Sequence, residues 1–272
     1  MAGFGARSTA ERVTLGIDLD GQVAVVTGAN AGIGAETVRV LALRGARVIM
    51  ACRDLEAGQR TRLRILREAD GEIKAEQLDV QALDLAELAS VQHFAQEFVK
   101  TRQRLHLLVN NAGVMNRRRE LTRDGFEQHF GVNHLGHYLL TRLLRDTLEA
   151  SAPARVIGLS SEALRFAQLN AQLEDPQWKQ RRFNWWRSYG ESKMMNLLFA
   201  RELNGRLAGS GVVAHAVHPG IVRTHLGQVD NRVVAEDIQR GDLPLDQRPL
   251  VSDELGLSWS DVRGRPAGVA GR

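Results

Sequence analysis

QVAVVTGANAGIG, residues Gln22–Gly34, joins a short apolar run to a glycine-rich turn. The run Gln22–Thr27 has the length and composition of a strand buried on both faces. The turn, TGANAGIG (Thr27–Gly34), opens into GAETVRVLALRG, whose apolar spacing is helical and which ends at Gly45. Gly28, Gly32 and Gly34 are spaced G-x-x-x-G-x-G. Glycine permits a tight turn and lets backbone approach a pyrophosphate closely, and the helix N-terminus behind it supplies free N–H groups and a favourable dipole. A plain strand-to-helix turn is the competing reading. Placement between a first strand and a first helix favours a dinucleotide loop, with Asn30 and Ile33 among its lining residues.

Working outward, the rhythm repeats. ARVIMAC (Ala46–Cys52) reads as a second strand, and LEAGQRTRLRILREAD as a helix closed by Gly71. EIKAEQLDV (Glu72–Val80) alternates like a third strand. A helix is expected over Asp84–Thr101 with Asp84 as N-cap. LHLLVN (Leu105–Asn110) is a fourth strand, followed by a long helix over Asp124–Glu149. ARVIGLS (Ala154–Ser160) and VVAHAVH (Val212–His218) are the fifth and sixth strands, with a helix to Leu207 between them. Strict strand–helix alternation predicts an α/β fold with a doubly wound parallel sheet, Rossmann-like, with six strands and right-handed connections.

The end of the second strand discriminates between dinucleotides. An acid there holds the ribose 2′-hydroxyl of NAD, whereas arginine suits a 2′-phosphate. Cys52 occupies the place where the acid is expected, and Arg53 follows. The planar, permanently charged guanidinium favours NADP. The alternative is that Asp54 takes Arg53 in a local ion pair.

Tyr189 and Lys193 lie four apart in SYGESKMMNLLFARELNGRL, on one helical face. A tyrosine with a pKa of about 10 needs roughly 4 kcal/mol to titrate near 7. One cation about 4 Å away supplies that at an effective dielectric of 20. The pair therefore reads as a proton donor with its tuning cation, or as an exposed helical pair of no consequence.

Composition narrows the classes. The chain has 272 residues, 43% hydrophobic and 25% charged, with net charge +4, as in an ordinary globular protein. Its arginines are scattered apart from Arg117–Arg119 and Arg181–Arg182, and no motif supports nucleic-acid binding. The single cysteine, Cys52, suits a reducing cytoplasm. No secretory signal is apparent, and no run reaches the roughly 20 apolar residues of a membrane span. There is no metal-ligand cluster; His129, His134 and His137 read as core or interface histidines.

These motifs together resemble the short-chain dehydrogenase/reductase family, retinol-dehydrogenase-like branch. The resemblance rests on TGANAGIG; Asp79–Val80; Asn110–Asn111–Ala112–Gly113; Asn133 within VNHLGHYLLT; Ser160–Ser161; Tyr189 with Lys193; and His218–Pro219–Gly220 with Thr224. It implies an NADP-dependent oxidoreductase that interconverts a carbonyl and an alcohol of an apolar small molecule. Tyr189 is implied as the acid–base, Lys193 as its cation and a ribose ligand, Ser161 rather than Ser160 as the carbonyl hydrogen-bond donor, and Asn133 as support for a water chain to Lys193. Asp79 and Val80 are implied at the adenine, Asn111, Ala112 and Gly113 along the cofactor, and Thr224 near the nicotinamide. A homodimer or homotetramer is expected.

The expected organisation is an N-terminal extension over 1–20, the NADP-binding domain over 21–226, and an atypical tail over 227–272. The tail lacks the pattern with which the family completes its sheet and substrate site, so it either leaves the sixth strand's edge open or folds over the site. The rival reading is a catalytically weak NADP-binding regulator or scaffold. The stretch 162–188, carrying Trp178, Trp185 and Trp186, reads either as an apolar, mobile substrate wall or as a loop anchored by its tryptophans.

Overall fold

The computed structural model describes residues 4–5, 8–169, 173–220, 222, 226, 228–229 and 232–233. A one-turn helix, α1 (Ala10–Val13), is capped by Thr9 and precedes strand β1 (Val23–Thr27). Then follow helix α2 (Gly32–Leu43), strand β2 (Arg47–Cys52), helix α3 (Leu55–Glu68), strand β3 (Leu78–Ala82), helix α4 (Leu88–Lys100) and strand β4 (Leu107–Asn110). The second half adds helices α5 (Gly136–Leu143) and α6 (Arg145–Ala150), strand β5 (Ala154–Leu159), helix α7 (Trp185–Arg206) and strand β6 (Val212–Val217). Two short strands, β7 (Gln228–Val229) and β8 (Arg232–Val233), pair antiparallel with each other and, among the described residues, add no seventh strand to the main sheet.

Six strands form one parallel sheet in the order β3-β2-β1-β4-β5-β6. Alternation within each buried run divides its side chains between two layers. Val25, Ile49, Leu108 and Val156 pack under Phe94, Phe98, Leu140 and Leu203. Ala24, Val26, Val48 and Met50 pack under Val38, Ala42 and Ile65. Both faces are covered, which is why these strands read as continuous apolar runs. The order reverses between β1 and β4, so a crevice opens beyond their C-terminal ends.

Several boundaries differ from expectation, each for a non-local reason. The third strand begins at Leu78 rather than at residue 72, because Ala75–Gln77 forms a 3₁₀ turn. Gln77 holds that turn: its Oε1 accepts from Lys74 N–H at 2.8 Å and its Nε2 donates to Ala42 O at 2.8 Å. Helix α4 begins at Leu88, not at Asp84. Asp84 instead accepts from Ala86 N–H at 2.9 Å, and the Leu88 N–H is capped by Asp124 Oδ2 at 2.8 Å, 36 residues away.

The expected long helix from Asp124 is shorter and irregular. Asp124 belongs to a turn closed by Thr122 N–H donating to Phe126 O at 2.7 Å. His129–Leu135 then winds as a π-helix, and the helix breaks at Leu144 between α5 and α6. Of the tail, only β7 and β8 are among the described residues. The segment before β1 is tied to α2, where Arg44 donates to Thr14 Oγ1 at 3.0 Å and Glu11 O at 2.8 Å.

Candidate active site

The crevice at the strand-order reversal is a cleft of about 510 Å³. Its floor is the TGANAGIG turn: Gly28, Asn30, Gly32, Ile33 and Gly34 all line it. Gly28 has φ +63°, a left-handed conformation that favours glycine. A Cβ on Gly34 would stand 2.3 Å from Gly28 O and 2.6 Å from Asn111 Nδ2, so no side chain fits there. The α2 N-cap is Ala31, which provides no side-chain oxygen, and the first turn has no acid. The uncapped N–H groups and positive dipole end therefore face the cleft, a chemistry suited to a pyrophosphate.

At the end of β2, Cys52 is fully buried, and burial pushes its thiol up to about 11. Arg53 and Asp54 both line the cleft. Asp54 is used as the α3 N-cap, accepting from Ala57 N–H at 2.9 Å, and no ion pair holds Arg53 among the described residues. The alternative of a local Arg53–Asp54 pair is thus not what the structure shows.

The expected adenine residues require correction. Asp79 and Val80 lie inside β3, short of its C-terminal end, and neither lines the cleft. Asp79 accepts from Gln81 Nε2 at 2.8 Å, and Val80 packs at Gly58, where a Cβ would meet its Cγ1 at 2.6 Å. The cleft wall is made by Leu83, Asp84 and Leu85, just past the strand. An acidic–apolar pair occurs twice in LDVQALDL, and only the strand's end distinguishes them.

Asn111, Ala112 and Gly113 form the opposite wall. Thr27 Oγ1 accepts the Asn111 and Ala112 N–H groups at 2.9 and 3.0 Å, and Asn111 Nδ2 donates to Thr27 O at 2.7 Å. A Cβ on Gly113 would lie 3.5 Å from Lys193 Nζ, so this wall meets the reactive end of the cleft.

Tyr189 and Lys193 come from α7, which Asn184 caps by accepting from Arg187 N–H at 3.0 Å. Both line the cleft while being almost wholly buried. Lys193 Nζ stands 5.5 Å from the Tyr189 ring centroid and donates to Leu159 O at 3.1 Å. The electrostatics differ from a simple cation-lowered phenol. Burial disfavours both charged forms. It pushes Tyr189 up to about 12, opposed by a hydrogen bond with the Ser161 hydroxyl, and pushes Lys193 down to about 8. At neutral pH the phenol is therefore protonated and the amine charged.

The two serines have separate surroundings. Ser160 Oγ is buried and donates to Lys193 O at 2.9 Å, fixing the backbone of α7. Ser161 lies beside the phenol, where its hydroxyl favours the ionised form, and it accepts from Ala163 N–H at 3.2 Å. Asn133 lies in the π-helix, fully buried; its Oδ1 accepts from Val114 N–H at 2.7 Å and its Nδ2 donates to Val114 O and Ser192 Oγ, each at 3.0 Å. Ser192 Oγ in turn donates to Tyr189 O at 2.7 Å. Pro219 lines the cleft, while Thr224 lies outside the described residues.

The histidines are inward. His129 Nε2 accepts from Asn116 N–H at 2.8 Å, so Nδ1 carries the proton toward Ser188 Oγ at 2.9 Å. Burial drives its pKa down to about 4. His134 is held among Phe130, Tyr138 and Phe199, and His137 bonds Thr27 Oγ1 at 2.9 Å.

The tryptophan segment is anchored, and it also reaches the site. Arg181 forks onto Glu191 of α7 at 3.0 and 2.9 Å and lies 3.8 Å from the Trp178 ring centroid. Trp186 stacks at 6.4 Å on Tyr189, and Trp185 packs against it. Glu191 is 1% exposed, a buried acid between the two reactive residues that the sequence reading did not single out. Its signal is faint, because its partner lies across a loop.

The fold and cleft define a nucleotide-binding α/β protein with a buried Tyr–Lys pair. The short chain dehydrogenase family profile matches residues 22–172, and the chain belongs to this family. It is 48% identical over 218 residues to retinol dehydrogenase 12 of Mus musculus, covering 78% of this chain and 65% of that protein. It is 43% identical over 222 residues to the WW domain-containing oxidoreductase of Gallus gallus, covering 80% of this chain and 53% of that one. The chain thus spans less than two thirds of the length of such relatives. Among solved structures, the Pseudomonas aeruginosa RhlG/NADP active-site complex is similar with TM-score 0.64 and 26% identity, each chain covered to 84%.

Proposed function

We propose that the protein is an NADP-dependent oxidoreductase interconverting a carbonyl and an alcohol on an apolar small molecule, acting through a cofactor-binding domain over 21–226. One observation carries this reading: the Tyr189 phenol, beside Ser161 and Lys193, faces the same cleft whose floor is the glycine turn at the uncapped α2 N-terminus. Relatives named retinol dehydrogenase support the apolar substrate class. The buried, single Cys52 suits the reducing cytoplasm where we place the enzyme.

The residues present fit a bound dinucleotide. The α2 N-terminus and the Gly28–Gly34 turn would hold its pyrophosphate, Arg53 its 2′-phosphate, Asp84 and Leu85 its adenine end, and the Asn111–Gly113 wall its length. Lys193 would bond the nicotinamide ribose, and Thr224 belongs near the carboxamide. The nicotinamide supplies or accepts the hydride. In reduction, Tyr189 gives its phenolic proton to the carbonyl oxygen as that oxygen gains charge, which is general acid catalysis. Ser161 donates a hydrogen bond to the same oxygen and stabilises the developing charge. Lys193, charged at neutral pH, steadies the phenolate left on Tyr189. Asn133 keeps the Val114 backbone in place and connects through Ser192 to the backbone of Tyr189. In oxidation the proton moves the other way.

The NADP preference has its own test. Arg53→Ala should weaken NADPH binding by about 10–100-fold, as expected for losing a hydrogen-bonded charged partner. NADH binding should change much less. Calorimetric titration of both cofactors reads the ratio; an unchanged ratio, or NADH bound as tightly as NADPH by the parent protein, contradicts the preference.

A further inference from the structure

We propose that Asn196 is a positioning residue of this site, acting through Lys193; the inference rests on the proposed role of Lys193 as a cofactor ligand. Asn196 lies three residues beyond Lys193 on α7 and is 6% exposed. Its Nδ2 donates to two backbone carbonyls, Leu159 O at 3.0 Å and Asn133 O at 3.1 Å. Leu159 O is also the acceptor of Lys193 Nζ at 3.1 Å. One carbonyl at the end of β5 therefore takes both the ammonium and the carboxamide.

The amide orientation is forced. Two acceptors on one side require the NH₂ group there, which turns Oδ1 toward His134 Nδ1 at 3.1 Å. That nitrogen must then carry the proton, because only a donor satisfies Oδ1. His134 itself is wedged among Phe130, Tyr138 and Phe199 on the helix that bears Asn133. The carboxamide thus ties three elements together at the reactive end: β5 through Leu159, the π-helix through Asn133 and His134, and α7 through its own backbone. Asn133 O accepts a second bond from His137 Nδ1 at 3.0 Å, and His137 reaches the Thr27 hydroxyl under the cofactor wall.

Without Asn196, Leu159 O and Asn133 O lose a donor among buried residues. The carbonyl that aims Lys193 Nζ is then free to shift. The ammonium would no longer be held where the ribose requires it, and small misplacements of such groups are costly.

The test is a double-mutant cycle on NADPH affinity, read by fluorescence titration, so it needs no substrate. Asn196→Leu keeps the volume and removes the amide. With Lys193 present it should weaken NADPH about tenfold, in the range for residues of one hydrogen-bond network. In a Lys193→Met background it should cause no further loss. His134→Phe preserves the aromatic packing and removes only the bond to Oδ1; it should act in the same direction, more weakly, and again only with Lys193 present. It carries the comparison if Asn196→Leu does not fold. Equal losses in both backgrounds, or none in either, overturn the proposal. If Lys193→Met alone leaves NADPH affinity unchanged, the role of Lys193 itself fails, and the inference falls with it.

Discussion

Tyr189→Phe should remove nearly all carbonyl-dependent NADPH oxidation while NADPH still binds. The substitution deletes one oxygen from a residue that is 4% exposed, and the ring keeps its contacts with Trp186 and His129. What disappears is the proton and the hydroxyl beside Ser161. Loss of a positioned general acid lowers turnover by about 10²–10⁴-fold. The proposed cofactor cradle lies on Gly28–Gly34 and Arg53, so NADPH affinity should stay within a few-fold. Steady-state turnover on a panel of apolar aldehydes and ketones together with calorimetric NADPH binding separates these two effects. Turnover near the parent level would remove Tyr189 from the mechanism.

The second large effect is expected at Gly190, next to the reactive tyrosine. Helix α7 packs so closely on the 3₁₀ segment Glu162–Phe166 that a Cβ on Gly190 would lie 2.3 Å from Ala163 O. The obstacle is backbone, which does not rotate away. Gly190→Ala must push α7 away from the segment that begins at Ser161, and so part the Ser161 hydroxyl from the Tyr189 phenol. Overpacking of this kind costs about 1–3 kcal/mol of stability. A displacement of about 1 Å in a catalytic pair can cost about 10²-fold in rate. NADPH binding should weaken less than turnover, since the Gly28–Gly34 turn is built on other elements while Lys193 moves with α7. A melting curve and turnover measured on the same preparation check the pairing; an unchanged rate would mean that the segment yields without moving Ser161.

How far these features were legible in the chain follows from how local they are. The Thr27–Gly34 turn, the buried strands other than β3 and the Tyr189–Lys193 spacing are written in contiguous residues, and they lie in the structure where the sequence places them. Features set by contacts from far along the chain were not legible. Asp124 caps α4 from 36 residues away, which moves both that helix and the next from their expected starts. The Gln77 bond to Ala42 O delays β3, and the cleft wall past that strand is Asp84 and Leu85 rather than Asp79 and Val80. The Arg181–Glu191 fork anchors the tryptophan segment by a pairing across a loop. The Asn196 bonds run from α7 to β5 and the π-helix, and nothing in its own neighbourhood announces them. The pKa of Tyr189 is a further case. A neighbouring cation suggested lowering, but burial, which sequence spacing does not report, pushes the phenol up to about 12.

The central claim is hydride transfer between a nicotinamide and a carbonyl carbon in this cleft. The most direct measurement uses NADPH carrying deuterium on the transferable nicotinamide position, incubated with the protein and the apolar carbonyl compound it turns over fastest, with the product alcohol read by mass spectrometry. The account predicts an alcohol with one deuterium on the former carbonyl carbon, formed by the parent protein and lost in Tyr189→Phe. An alcohol without the label, or label transfer undiminished by Tyr189→Phe, would contradict it.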